Sequence, residues 1–93
     1  MRPMPRYLVE HYFRKGIADY LAGRPVKAII EANSGTEVVW LHSYVTEDDH
    51  RVYCLCEAAG PEAVRKAARR AGLPVEVIHL ITVLDPHAYP TAS

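Results

Sequence analysis

The sequence predicts an α+β fold in which helices cover one face of an antiparallel sheet. Three observations carry this expectation. Residues 7–13, 37–45, 52–58 and 75–84 have strand composition or alternate with period two. Two segments between them place apolar residues at helical spacing. Clusters of Gly, Pro, Asn and Asp punctuate the boundaries. Read in order, the elements run β-α-β-β-α-β.

Residues 1–5 hold two prolines and read as a tail. "YLVEHYF" is the first strand. The stretch 14–24 is ambiguous; "GIADYLAG" suits a short helical turn ending at Gly23. Pro25 sits well in the first turn of a helix. In "PVKAIIEAN", Val26, Ile29 and Ile30 form an apolar stripe, and Asn33, Ser34 and Gly35 supply the stop. "VVWLHSYV" is the second strand, "TEDDHR" a polar turn and "VYCLCEA" the third strand, so these pair as a hairpin. Gly60-Pro61 breaks the chain before a second helix with Val64, Ala67, Ala68 and Ala71 on its apolar side. Gly72 is the expected C-terminal cap and Pro74 prevents continuation. "VEVIHLITVL" is the last strand, and residues 86–93 form a tail. The whole, residues 1–93, reads as one ferredoxin-like domain, which leaves one sheet face without helices.

Composition narrows the function. Eleven basic and eleven acidic residues give a formal charge of zero, so nothing draws the chain toward nucleic acid. No apolar run is long enough for a transmembrane helix or a signal peptide, which predicts a cytoplasmic protein with no membrane partner. Cys54 and Cys56 share one face of a strand, roughly 6.6 Å apart. That is a poor disulfide geometry, and two cysteines alone make a poor zinc site. They read as small buried apolar residues. Arg65, Lys66, Arg69 and Arg70 read as a solvated helix face. His50 and His87 read as exposed.

The open sheet face holds the candidate chemistry. If Val45 pairs with Val52, Tyr44 opposes Tyr53, His42 opposes Leu55 and Trp40 opposes Glu57. Val39, Leu41, Ser43, Val45, Val52, Cys54 and Cys56 then lie under the helices. Trp40, His42, Tyr44, Tyr53, Leu55 and Glu57 line the uncovered side. In the first strand, Tyr7, Val9, His11 and Phe13 are the more apolar set and suit the helix side. That puts Glu10 on the open face near Glu57. In the last strand both sides are apolar, so the direction of His79 stays open. An aromatic face of this kind marks an interface or ligand site. The simplest cover is a second copy, giving a homodimeric α/β barrel with polar groups enclosed in a cavity.

"WLHSYVTEDD", "YCLCEA", "RRAGLPVEVI" and "LDP", with "YLVE" near the start, resemble the small bacterial nickel-responsive protein family. The resemblance covers residues 38–86 and, more loosely, 7–10. It implies a ferredoxin-like fold, a dimer and binding of nickel or another divalent metal. Members of that family are expected to carry a histidine where this chain has Ala67 in "VRKAARRAG".

Two functions from different classes are compatible with these residues. In the first, the dimer is a binding protein whose cavity holds a small ligand or a nickel-type metal, with His42, Glu10 and Glu57 as ligands. In the second, a cofactor-free enzyme performs acid–base condensation or cyclisation on an aromatic or amine-bearing metabolite. There Glu10 or Glu57 moves protons, His42 and Tyr44 orient, and Trp40, Tyr53 and Leu55 contact the substrate. Against each stands a plain reading: His42 only hydrogen-bonds within the interface, the glutamates pair with arginines, and the aromatic residues pack a dimer.

Overall fold

The computed structural model describes residues 4–24, 26–33, 35, 37–82 and 84–87. Strand β1 is Arg6–Tyr12, followed by helices α1 (Ile17–Ala22) and α2 (Val26–Asn33). The hairpin strands are β2 (Val38–Val45) and β3 (Arg51–Ala58). Helix α3 (Pro61–Ala71) leads to β4 (Val77–Ile81). The expected order therefore holds with one addition, because the ambiguous "GIADYLAG" forms its own helix before α2. Pro25, Ser34, Thr36 and Val83 lie outside the described residues, as do the ends at 1–3 and 88–93.

The sheet has four strands in the order β2-β3-β1-β4, and all neighbours are antiparallel. With helices between β1 and β2 and between β3 and β4, this is an α+β architecture compatible with a ferredoxin-like fold.

Local chemistry explains the helix ends. Pro61 opens α3, where its missing N–H leaves no bond unmade, and Glu62 lies in the positive first turn. Gly72 closes α3 at φ +69°, a left-handed conformation that glycine adopts without strain. Its N–H reaches Arg69 O, and the Leu73 N–H reaches Ala68 O over 2.9 Å, so the last carbonyls are satisfied. Helix α1 is held from the β2–β3 turn. Ile17 N–H donates to Asp49 O (2.8 Å), and Ala18 N–H donates to Asp49 Oδ2 (3.1 Å).

Tyr7, Val9, His11 and Phe13 of the β1 segment are buried on the helix side, as their parity predicts. One core cluster joins Tyr7, Val9, Cys56, Ala58 and Val64. A second joins Phe13, Tyr20 and Val52, with Ile17, Leu21 and Ile29 packed against it. Tyr20 ties α1 to α3 through its hydroxyl, which donates to Ala71 O over 2.5 Å. All three helices thus lie on one side of the sheet.

Candidate binding face

Opposite the helices, the sheet presents three cross-strand rows. The first runs Val39, Glu57, Arg6, Ile81 from edge to edge. The second runs His42, Leu55, Leu8, His79, and the third Tyr44, Tyr53, Glu10, Val77. Residues paired across antiparallel strands share a face, so these side chains stand together. Tyr44 is 59% exposed, and Val39 and Val77 are exposed too.

Most of the expected face is present. Glu10, His42, Tyr44, Tyr53, Leu55 and Glu57 all lie on it, and the pairs Tyr44–Tyr53 and His42–Leu55 are as expected. Trp40 is not on it. The register skips Leu41 between Trp40 and His42, so Trp40 pairs with Cys56 and not with Glu57. A bulge adds one residue to a strand, and that reverses the parity of everything before it. Trp40 consequently turns under the helices, and Val39 takes the position opposite Glu57. The indole Nε1–H donates to Ser43 Oγ over 2.8 Å, and the serine hydroxyl donates to Cys54 Sγ over 2.9 Å. Trp40 and Ser43 are three apart and would point oppositely in an unbroken strand.

The two glutamates share the face but not a site. Glu57 accepts a hydrogen bond from Arg6 Nε at 3.2 Å. Glu10 lies four residues along β1 from Arg6, about 13 Å away at the rise of a strand. Its partner is His79, whose Nε2 donates to Glu10 Oε2 over 2.6 Å. The expected carboxylate pair is thus two separate pairs, one with arginine and one with histidine. His42 Nε2 and the Tyr44 hydroxyl share a 2.9 Å hydrogen bond, with the rings edge to face at 88°. His42 and His79 end the same row on opposite edge strands, three strand spacings or about 14 Å apart.

His79 is the site residue that sequence reasoning left open. "VEVIHLITVL" is apolar on both sides, so no periodicity reveals which face it takes. Only the pairing of β4 with β1, which sets His79 opposite Leu8, decides it. His11 falls on the other side, 3% exposed, with Nδ1–H donating to Pro74 O over 2.8 Å. Burial holds its pKa below the ordinary 6.5, although that hydrogen bond acts the other way.

The donor chemistry suits an imidazole-binding ion only in part. With Nε2 of His79 bound to Glu10, Nδ1 of the neutral ring keeps a lone pair, the arrangement in which a carboxylate orients a metal-binding histidine. Imidazole is a good ligand for nickel and zinc. Yet among the described residues no three His, Cys, Asp or Glu side chains of one chain come together as a metal site. Neither cysteine helps. Both lie on the helix side, and burial pushes the Cys56 thiol up to about 11. Ala67 stands in the buried stripe of α3, so no side chain there reaches the open face.

An α+β sheet protein with one helix-free face bearing histidine–carboxylate and histidine–tyrosine pairs is the class these features define. The chain belongs to the family described as nickel responsive protein SCO4226-like, whose pattern it matches over residues 7–81. Its fold is similar to that in the crystal structure of SCO4226 from Streptomyces coelicolor A3(2). The TM-score is 0.70 at 21% identity, over 86% of this chain and 99% of that one. No curated protein matches the sequence.

Proposed function

We propose that this protein is a homodimeric nickel-type metal-binding protein whose site is completed when two helix-free sheet faces meet as an α/β barrel. The observation that supports this reading is the 2.6 Å His79–Glu10 pair on a face that also exposes His42 and apolar side chains. Among the described residues of one chain, no three such donors come together. Two chains related by a two-fold axis along the strands bring His42 of one opposite His79 of the other, because these residues end the same row. Each such meeting collects two imidazoles and the Glu10 carboxylate. Glu10 then acts as the group that orients His79, His42 and His79 as ligands, and Tyr44 as the group that orients His42. Glu57, tied to Arg6, closes the end of the interface. A bound divalent nickel ion would supply charge that holds the two copies together.

The acid–base enzyme reading has Glu10 or Glu57 moving protons beside a stacking Trp40. Glu57 is tied to Arg6, Glu10 is tied to His79, and Trp40 is turned under the helices, which favours binding.

The test is nickel titration by calorimetry on wild type, His42→Ala, His79→Ala and Glu10→Gln. Loss of at least ten-fold in affinity for each histidine variant, and a smaller loss for Glu10→Gln, is expected. Mixing the two histidine variants should restore one intact site per heterodimer. Unchanged nickel affinity in His79→Ala overturns the proposal.

A further inference from the structure

On the other side of the sheet lies a cavity of about 240 Å³ between the strands and the three helices. Its walls are almost wholly apolar, with Val9, Leu21, Ile29, Val64 and Ala67 among them. An apolar cavity of about 150 Å³ stays dry and admits benzene, so this one has room for a fused pair of rings. Besides the Cys54 and Cys56 thiols, four polar side chains interrupt the wall; one is Tyr20, whose hydroxyl is spent on Ala71 O. Two more, Trp40 and Ser43, are linked by the hydrogen bond that the bulge creates. The fourth is His11.

His11 is the unusual member. It is 97% removed from solvent at 3% exposure, and its Nδ1–H is spent on Pro74 O. A neutral imidazole with a proton on Nδ1 has a bare lone pair on Nε2. That nitrogen has no partner among the described residues. Every fully buried side-chain nitrogen and oxygen described does have one. Nε2 is therefore not fully sealed by its neighbours, and His11 is one of the residues that line the cavity. An acceptor in an otherwise apolar cavity favours a ligand that brings a donor to it.

We infer that this inner cavity binds an uncharged, one- or two-ring aromatic molecule bearing a single O–H or N–H, which donates to His11 Nε2. The inference is independent of the proposed metal site, from which the sheet separates it. The apolar wall excludes charged ligands, since it offers a carboxylate or ammonium no counter-ion. The bulge at Leu41 matters here as well, because it supplies the Trp40 ring as a wall.

Trp40 is the one tryptophan of the chain, so its indole N–H gives one resolvable NMR signal for occupancy. The full-length protein is titrated with 2-naphthol and, separately, with naphthalene, which has the same rings and no donor. The Trp40 indole and His11 ring signals are expected to shift with 2-naphthol, and naphthalene is expected to bind about five-fold more weakly. His11→Phe keeps an aromatic ring and removes the acceptor, so it should bring the two ligands to equal affinity. Ala67→Phe should fill the space and abolish both shifts. Equal affinity of the two ligands for wild type overturns the role of His11. Absence of any Trp40 or His11 shift at millimolar 2-naphthol, or shifts confined to Tyr44 and Tyr53, overturns the cavity. The wild-type comparison decides the matter even if a variant fails to fold.

Discussion

At the residue scale, the histidines separate into two kinds. His79 and His42 are bonded to a carboxylate and a phenol on the open face, whereas His11 is buried and neutral. The depressed pKa of His11 has a consequence for stability. Below the unfolded value of about 6.5, the unfolded chain takes up a proton that the folded chain refuses. Stability is therefore full above that value and falls as the pH drops through it, until the lower folded pKa is reached. Urea unfolding at pH 7 and pH 5 should show a decline for wild type of up to about 1.4 kcal/mol per pH unit that is absent from His11→Phe. Equal declines in both proteins would assign the pH dependence elsewhere. The cysteines make a second residue-scale prediction. With the Cys56 thiol raised to about 11, little thiolate exists at pH 8, and both cysteines should react slowly with a disulfide reagent until the protein unfolds.

At the element scale, the β2–β3 turn holds more than the hairpin. Asp49 stands at φ +70° and caps α1 with both its carbonyl and its carboxylate. Asp49→Ala should destabilise the protein by about 1 kcal/mol, the usual worth of a helix cap, measurable as a lower urea midpoint. Gly16 has φ +86°, and a Cβ there would meet Asp49 Oδ2 at 3.0 Å. Gly16→Ala should therefore be at least as damaging, since it adds left-handed strain to a displaced cap. The strand β2 carries the other lesson at this scale. Its alternation suggested an unbroken strand with Trp40 beside His42, and the bulge at Leu41 divides it. Trp40→Lys should consequently unsettle the fold itself rather than a dimer, because it places an unpaired charge under the helices.

At the scale of the whole molecule, the uncovered rows of β2, β3, β1 and β4 dominate. Tyr44, Val39, Tyr12 and Val77 are exposed there, and apolar surface on one face of a sheet is covered in most working proteins. Sedimentation at micromolar concentration should give twice the chain mass of 10.4 kDa. Leu55 lies mid-row, so Leu55→Lys should shift the protein toward monomer without loss of secondary structure. A monomeric wild type, with or without nickel, would exclude the dimer.

Much of the architecture was legible in the linear order of residues. Strand parity in "YLVEHYF" separated Tyr7, Val9, His11 and Phe13 from Glu10, because alternation of side chains is a local property of an extended chain. Gly72 and Pro61 marked the ends of α3 for equally local reasons. The alternation of "YCLCEA" placed Tyr53, Leu55 and Glu57 together. What escaped was non-local. The bulge at Leu41 has no signature in "VVWLHSYV"; it appears once β2 must match β3 while Trp40 finds room under the helices and a partner in Ser43. Likewise, "VEVIHLITVL" is ambiguous until β4 pairs with β1 and sets His79 beside Glu10, sixty-nine residues away in the chain. Local residue types determined which faces the strands carry, but only the register between distant strands decided which charged groups meet. Register arises from the packing of the whole sheet, and a single inserted residue reverses it.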